Sequence, residues 1–216
     1  MRYHPQVSER PFHHGNLRAV LLDEAEAVLR ERGTEALSLR ELARKAGVSH
    51  GAPRSHFIDR NALLDALAER GYLRLVDDLR EATSRASGGY AATLRAAAAA
   101  YVKYATSNPA LLDLMFAAKV DRSSAAVRSA AERLFTTMTD ILGEGVEAGA
   151  CEPHEVGRLA LLLSSTMQGI AALVTSRRIT GPQSDAVIDD AIAVFLAGIS
   201  AGALTPGSET ASSPHG

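Results

Sequence analysis

Apolar residues recur at spacings of three and four along this 216-residue chain, and this pattern constrains its fold more than any other feature. That spacing is the period of an α-helix with one buried face. No stretch of strand length alternates apolar with polar residues, and β-branched residues do not cluster. The sequence therefore predicts an all-α protein of about nine helices. Three or four short helices precede a break at Ser87-Gly88-Gly89, and five longer ones follow it.

Local capping signals predict where these helices begin and end. Gly33 ends the first helix after a basic last turn, and Ser38 with Glu41 forms a capping box at the start of the second. Asp59 is placed to cap a long helix that extends to about residue 85. Beyond the glycine break, the pattern predicts helices over residues 90–107, 110–118, 125–148, 153–177 and 185–203.

The overall composition argues against several classes of protein. Hydrophobic residues make up 46% and charged residues 22%, as in soluble globular proteins, and the formal net charge of -2 shows no gross basic excess. Cys151 is the only cysteine, so the chain forms neither an internal disulfide nor a thiolate metal cluster. The first sixteen residues contain no apolar core, so we expect no signal peptide and a cytoplasmic location.

The longest uncharged run, Leu159–Ser176, raises the question of a membrane span. It has 18 residues, and six of them carry hydroxyl or amide groups. A transmembrane helix needs about 20 predominantly apolar residues. We therefore expect a buried helix here, and no membrane partner.

Two short predicted helices joined by a tight turn carry the main functional signal. The turn is Ala46-Gly47-Val48-Ser49, where glycine permits the sharp reversal of a helix-turn-helix. The following helix, predicted over residues 49–57, would enter the major groove of DNA. Its outward face offers four side chains that can donate hydrogen bonds to bases or phosphates, namely Ser49, His50, Arg54 and Ser55. Any small helical hairpin has a similar turn, so the spacing alone leaves a protein without DNA binding as an alternative.

A series of motifs extends this signal across residues 13–70. In order they are His13-His14-Gly15-Asn16-Leu17-Arg18, Leu37-Ser38-Leu39-Arg40-Glu41-Leu42-Ala43, Ala46-Gly47-Val48-Ser49, and His56-Phe57 followed by Ala62-Leu63-Leu64. Together they resemble the DNA-binding domain of TetR-family repressors. The resemblance implies an all-helical dimer that joins an N-terminal helix-turn-helix to a variable C-terminal ligand-binding domain. It also implies that Arg60 is the family's basic residue at the start of the fourth helix.

The chain departs from the family pattern at two places. The family usually has a tyrosine before the Lys/Arg-His-Phe stretch, whereas this chain has Arg54-Ser55-His56-Phe57. We expect Arg54 to take over as a cationic phosphate or guanine contact. Asn108-Pro109-Ala110-Leu111 is similar to a subgroup named for a Trp-His-Gly signature, but Ser164 and Gln168 replace its Trp and His, and only Gly169 remains.

These patterns predict three sets of site residues. The DNA-binding set is Arg40, Lys45, Ser49, His50, Gly51, Arg54, Ser55, His56 and Arg60. The ligand-binding set contains large or adaptable side chains of the middle helices, each of which is individually more typical of ordinary core: Tyr101, Tyr104, Leu111, Met115, Phe116, Phe135, Met138, Met167 and Gln168. The dimer set lies in the last two, unusually uncharged helices: Gly169, Ile170, Ala172, Phe195 and Gly198.

The predicted organisation follows from these sets. We expect a flexible N-terminal arm over residues 1–15, a helix-turn-helix DNA-binding domain over 16–60, a ligand-binding and dimerisation domain over 61–204, and a disordered tail over 205–216. The tail is rich in Ser, Pro and Gly, a composition that buries too little apolar surface to fold.

The predicted function is that of a ligand-responsive repressor. It would bind palindromic double-stranded operator DNA as a homodimer and be released by a small, apolar effector. The alternative is a helical dimeric adaptor or interaction protein that does not bind DNA. No nucleophile–base arrangement, paired-carboxylate motif or phosphate loop favours an enzyme, and no cofactor is expected. His4, His13 and His14 lack the further ligands that a metal site needs, so no metal is expected either.

Overall fold

The computed structural model describes residues 17–117 and 124–201, which form α-helices and contain no β-strand. The eight α-helices are α1 (Leu17–Arg32), α2 (Leu39–Lys45), α3 (Arg60–Ser84), α4 (Tyr90–Ser107), α5 (Pro109–Ala117), α6 (Ala125–Glu147), α7 (Val156–Thr175) and α8 (Gly181–Ser200). The all-α prediction is confirmed. The predicted arm (1–15) and the predicted tail (205–216) lie outside the described residues.

The described part of the chain has eight α-helices because one predicted helix does not form. In place of a helix over residues 49–57, the structure has a 3-10 turn, Ala52–Ser55. Pro53 explains the difference, since it has no N–H to donate to the Ser49 carbonyl and its ring disfavours the helical conformation at Ala52. The backbone hydrogen bond that forms here joins residues three apart instead of four, since the Ala52 N–H donates to the Ser49 carbonyl over 3.0 Å.

The last helix begins four residues earlier than the sequence pattern predicts. Thr180 is its N-cap, and the side chains of Thr180 and Gln183 bond each other's backbone N–H groups in a capping box. Pro182 therefore lies inside the first turn of α8 instead of separating it from α7. A proline is tolerated there because the first N–H groups of a helix have no partner within it.

The described residues divide into two compact units, one that ends at Leu67 and one that begins at Ala68. In the first unit, α1 buries a stripe of Leu and Val side chains, and α2 packs against it through Leu42 and Ala43. Ser38 caps α2 as predicted, since its Oγ accepts from the Glu41 N–H over 3.4 Å. The capping box is only half formed, because the Glu41 carboxylate pairs with Arg32 and Arg44 instead. Asp59 caps α3, since its Oδ1 accepts from the Ala62 N–H over 2.8 Å.

In the second unit, α4 packs against α5, α6, α7 and α8, and α7 also packs against α6 and α8. Small alanines such as Ala97, Ala98 and Ala105 are buried on α4, so the surrounding helices approach it closely. At one end of the bundle, the hydroxyl of Tyr90 donates to the Leu142 carbonyl over 3.3 Å. A Cβ on Gly145 would lie 2.5 Å from that hydroxyl oxygen, so the packing of Tyr90 on α6 requires glycine.

Helix α7 is buried on one face only, contrary to the prediction of a buried helix. Its buried residues are Leu159, Ala160, Met167, Ile170 and Ala171. Leu161 and Leu162 are exposed on the other face. Within the described residues, the segment Pro153–Thr175 is long and apolar enough to cross a membrane. Core helices of soluble proteins often have the same length and composition.

Candidate functional site

The turn after α2 forms as the sequence predicts. Gly47 has a φ of 68°, a left-handed conformation that glycine adopts without strain. The Val48 N–H donates to the Ala43 carbonyl over 3.0 Å and closes the end of the helix. Beyond the turn, Pro53 and Phe57 are buried in the first unit and hold the intervening segment in place.

Polar side chains on either side of Pro53 are exposed. Five of the predicted DNA-binding residues between Ser49 and His56 are polar and exposed: Ser49, His50, Arg54, Ser55 and His56. Arg40 on α2 is exposed as well, and Gly51 is exposed with open space where a Cβ would be. No acidic residue occurs between Glu41 and Asp59, while Arg44, Lys45 and Arg54 do. The segment therefore presents a local excess of positive charge and hydrogen-bond donors.

Two of the predicted DNA-binding residues, Lys45 and Ser55, already interact with other groups of the first unit. The Nζ of Lys45 lies 3.9 Å from the Glu24 carboxylate, which offsets its charge. The hydroxyl of Ser55 donates to the Ala52 carbonyl over 2.7 Å, so its oxygen remains available mainly as an acceptor.

Arg60 has a structural role that the sequence did not predict. Its guanidinium donates to the carbonyl of Leu37 over 3.2 Å and to that of Thr34 over 2.6 Å. The same group lies 3.8 Å from the Glu35 carboxylate. These bonds fix the start of α3 against the chain that enters α2. Two donors of Arg60 are thus engaged by the protein backbone, while its side chain remains 39% exposed.

One exposed cation outside the predicted DNA-binding set is held against the first unit. The guanidinium of Arg18, on α1, lies 5.5 Å from the centroid of the Phe57 ring and is exposed. A cation over an aromatic face is held in place by the ring quadrupole. The sequence already marks Arg18, because it is the last residue of the family-like motif that begins at His13.

The predicted ligand-binding residues divide into separate groups. Three of them, Tyr101, Met138 and Met167, line a cavity of about 40 Å³ inside the second unit. Its other lining residues are almost all aliphatic: Leu79, Leu94, Ala97, Ala98, Ile141, Leu142, Ala160, Leu163 and Ser164. Burial raises the pKa of Tyr101, and the neighbouring Gln168 amide partly offsets that rise.

A second group fills the contact of α3, α4 and α5 as ordinary core. Tyr104, Leu111 and Met115 are buried there, and a Cβ on Gly71 would lie 2.6 Å from the sulfur of Met115. Two other candidates, Phe116 and Phe135, are exposed. Phe116 contacts the ring of Tyr72 edge-on at 6.0 Å. None of these five residues lines the cavity described above.

The predicted dimer set requires a correction at two positions. Ile170 is 4% exposed and Phe195 is 6% exposed, so both side chains belong to the core of this chain and not to an outer face. Gly169 and Ala172 are exposed, and Gly198 is half-buried. The large apolar side chains that do face outward on these helices are Leu161, Leu162, Val187 and Val194.

The structure describes no metal centre among residues 17–117 and 124–201, where no group of three His, Cys, Asp or Glu side chains comes together. His4, His13 and His14 lie outside the described residues. Cys151 is half-buried. The pKa of its thiol is raised, mainly because burial disfavours the charged thiolate, and also because the Glu155 and Glu152 carboxylates lie nearby. A raised pKa disfavours the reactive thiolate.

Comparison with known proteins places both units in one family. The family profile described as bacterial regulatory proteins, tetR family, matches residues 21–67. A tetracyclin repressor-like C-terminal domain profile matches residues 94–195. No curated protein matches this sequence.

Solved structures agree with these profiles. A protein of unknown function from Rhodococcus sp. RHA1 is 41% identical, and the alignment covers 88% of this chain and 98% of that one with a TM-score of 0.80. A tetR-family regulatory protein from Rhodococcus RHA1 has 19% identity, coverages of 85% and 96%, and a TM-score of 0.66. The TetR-family transcriptional regulator PfmR from Thermus thermophilus has 22% identity, coverages of 82% and 97%, and a TM-score of 0.62.

The tetR-family profile thus matches the unit that contains α1, α2, the turn at Gly47 and the 3-10 turn Ala52–Ser55, and the C-terminal profile matches the helical bundle of the second unit. Both profiles occur in the order that the motifs of the sequence predict. This chain belongs to the tetR family of bacterial regulatory proteins, which are helix-turn-helix regulators of transcription.

Proposed function

We propose that this chain is a ligand-responsive repressor that binds a palindromic operator as a homodimer in the cytoplasm and is released by a small, apolar effector. The observation that supports DNA binding most directly is the set of exposed polar side chains between Glu41 and Asp59. The segment carries several donors and no acidic residue, and Pro53 and Phe57 bury it against the first unit. Such a segment suits both phosphate contacts, which fix position, and base contacts, which give specificity.

Selection of genomic fragments by the purified chain, followed by sequencing, tests this proposal. We expect the bound fragments to share a palindromic site. Gel shifts at two salt concentrations should then give a tighter complex with that site than with random DNA, and affinity for both should fall as salt rises. Enrichment of no sequence, together with no shift of any duplex at low salt, would leave the repressor proposal without support.

The homodimer is proposed from the outer faces of α7 and α8. Val194 is 71% exposed, and Leu161 and Leu162 are exposed on α7. Exposed apolar patches of this kind mark contacts with partners. Gly169 and Ala172 lie on the exposed part of α7, where small residues allow two helices to approach closely. We therefore place the interface on these residues and keep Ile170 and Phe195 in the core beneath it.

Release of DNA is proposed to act through α3. This helix contributes residues to both units, since it runs from Arg60 to Ser84. The effector must bind one arrangement of the dimer more tightly than the DNA-binding arrangement, because a ligand with equal affinity for both shifts nothing. Operator release measured against effector concentration tests this step separately from DNA binding.

An interaction protein without DNA binding is the second candidate. The exposed apolar residues of α7 and α8 would serve such a protein equally well. The two candidates differ in one measurement. An adaptor would show no salt-dependent affinity for duplex DNA, whereas a repressor requires it.

A further inference from the structure

A buried hydroxyl in the second unit has no hydrogen-bond partner. Tyr101 is 5% exposed, and its hydroxyl oxygen is enclosed. The Gln168 side chain is close enough to lower its pKa, but no donor or acceptor meets the hydroxyl at hydrogen-bonding geometry. Tyr101 also lines the apolar cavity bounded by α3, α4, α6 and α7. Buried polar groups in native proteins are almost always paired, so an unpaired one on a residue that lines a cavity points to a partner that binds there.

Two neighbouring tyrosines show what an ordinary buried hydroxyl does in this bundle. The hydroxyl of Tyr104 donates to the Gly71 carbonyl over 2.8 Å, and that of Tyr72 donates to the Met115 carbonyl over 2.8 Å. Tyr101 lies on the same helix as Tyr104, one turn earlier, and lacks any such bond. Of these three tyrosines, only Tyr101 lines the cavity, and only its hydroxyl lacks a bond to a backbone carbonyl.

The lining of the cavity restricts the charge of a ligand. Among the described residues that line it, none is Lys, Arg, His, Asp or Glu. A carboxylate or an ammonium group would lose its hydration there without gaining an opposite charge, which is strongly unfavourable. Burial raises the pKa of Tyr101, so its hydroxyl remains protonated at neutral pH and can donate a hydrogen bond.

From this geometry we propose that the effector is an uncharged, largely apolar molecule with one hydrogen-bond acceptor, such as a ketone or an ester, which accepts from the Tyr101 hydroxyl. This inference rests on the proposed function, because it names the class of ligand that the repressor would sense. The other cavity residues supply apolar contact.

The size of the cavity adds a condition. A volume of about 40 Å³ is the space of about three water molecules, so a larger ligand enters only if side chains move. Met138 and Met167 line the cavity, and unbranched methionine side chains repack readily around different shapes. An ordered water is the competing occupant. It would need two or more polar partners, and the lining offers only Tyr101 and Ser164, whose hydroxyl already donates to the Leu161 carbonyl over 3.0 Å.

Three matched probes test the proposal on the full chain without DNA: cyclohexanone, cyclohexanecarboxylate and cyclohexane. Isothermal titration and thermal unfolding at pH 7 should show cyclohexanone binding roughly tenfold more tightly than cyclohexane, as one added hydrogen bond gives. The carboxylate should not bind. A carboxylate that binds more tightly than the ketone, or no stabilisation by any of the three, would overturn the inference.

Two variants on α4 test whether the preference for cyclohexanone over cyclohexane depends on the Tyr101 hydroxyl. In Tyr101→Phe the preference for cyclohexanone over cyclohexane should disappear, while the melting temperature of the unliganded chain stays the same or rises. In Tyr104→Phe the preference should remain, and the melting temperature should fall because the Gly71 carbonyl loses its donor. A ketone preference that survives Tyr101→Phe, or a lower melting temperature for that variant, would contradict an unpaired hydroxyl. In Gln168→Ala the preference for cyclohexanone should remain, and its loss would contradict a ligand contact made by the Tyr101 hydroxyl alone.

The outcome is separable from that of the proposed function. A chain that binds cyclohexanone through Tyr101 but shifts no duplex DNA would refute the repressor and retain the ligand class. A chain that binds its operator but none of the probes would refute the ligand class alone.

Discussion

The hydroxyl of Tyr104 donates a hydrogen bond over 2.8 Å to the backbone carbonyl of Gly71, at a point where α3 has no side chain of its own. The absence of a Cβ at Gly71 leaves room for Met115, whose sulfur would lie only 2.6 Å from that atom. The contact of α3 with α4 and α5 therefore depends on a glycine in the middle of a helix, where glycine is otherwise unfavourable.

Replacing this glycine should weaken the second unit. We expect Gly71→Ala to lower the free energy of unfolding by about 1–3 kcal/mol, because the added methyl group overpacks the site of Met115. Urea unfolding monitored by circular dichroism measures the change. Gly143→Ala is the matched control: Gly143 also lies inside a helix but has open space around it, so alanine should stabilise by about 0.5–1 kcal/mol. Equal effects of the two substitutions would contradict the packing argument.

Arg60 should matter for folding of the first unit more than for contact with phosphate. Arg60→Ala removes the donors from the Leu37 and Thr34 carbonyls, and we expect a loss of about 1–2 kcal/mol in the free energy of unfolding. Under conditions where the variant is folded, the dependence of DNA affinity on salt should be unchanged. A salt slope reduced by about one would instead identify Arg60 as a phosphate contact.

Arg54 should contribute directly to operator binding. If it contacts a guanine, Arg54→Ala should weaken binding to the selected operator by about 1–3 kcal/mol and relax the preference at one base pair. If it contacts only phosphate, affinity should fall equally for operator and random duplexes, with a salt slope lower by about one. Arg30→Ala, which removes an exposed cation of the same unit already close to Glu26, is the control. Unchanged binding to both duplexes would exclude Arg54 from the interface.

Neighbouring positions on α8 should separate dimerisation from folding. Val194→Glu places a charge on an outward side chain, and we expect a folded monomer by sedimentation with an unchanged helical spectrum. Phe195→Glu places the charge in the core, where an unpaired carboxylate is strongly unfavourable, and we expect an unfolded chain. Val194→Thr keeps the shape without the charge and should remain dimeric. A Val194→Glu protein that sediments as a dimer would place the interface elsewhere.

Sequence predicted most accurately the features that depend on a few adjacent residues. The caps at Ser38 and Asp59 and the turn at Gly47 form where the pattern predicts, because each requires only local backbone geometry. The missing helix at Pro53 is also a local effect, and the proline itself carried the signal.

Directions of burial were harder to predict because they depend on neighbours distant in sequence. α7 and α8 are apolar on several faces, so composition does not show that Phe195 points inward and Val194 outward. The same limit explains the divided ligand set. Tyr101 and Tyr104 have the same chemistry and nearly the same place on α4, and only the packing of the bundle gives one hydroxyl a partner and leaves the other without one.

Each chain lines one apolar cavity with its own residues, so the proposed dimer would contain two such cavities, each a candidate sensor of the effector. If one occupied sensor is enough to release DNA, release should rise with effector concentration ahead of the occupancy of the individual sensors. If both must be occupied, the fraction released should follow the square of the occupancy, and low concentrations of effector would leave the gene silent. The shape of the dose–response curve is therefore a readout of how many subunits must change before the operator is vacated.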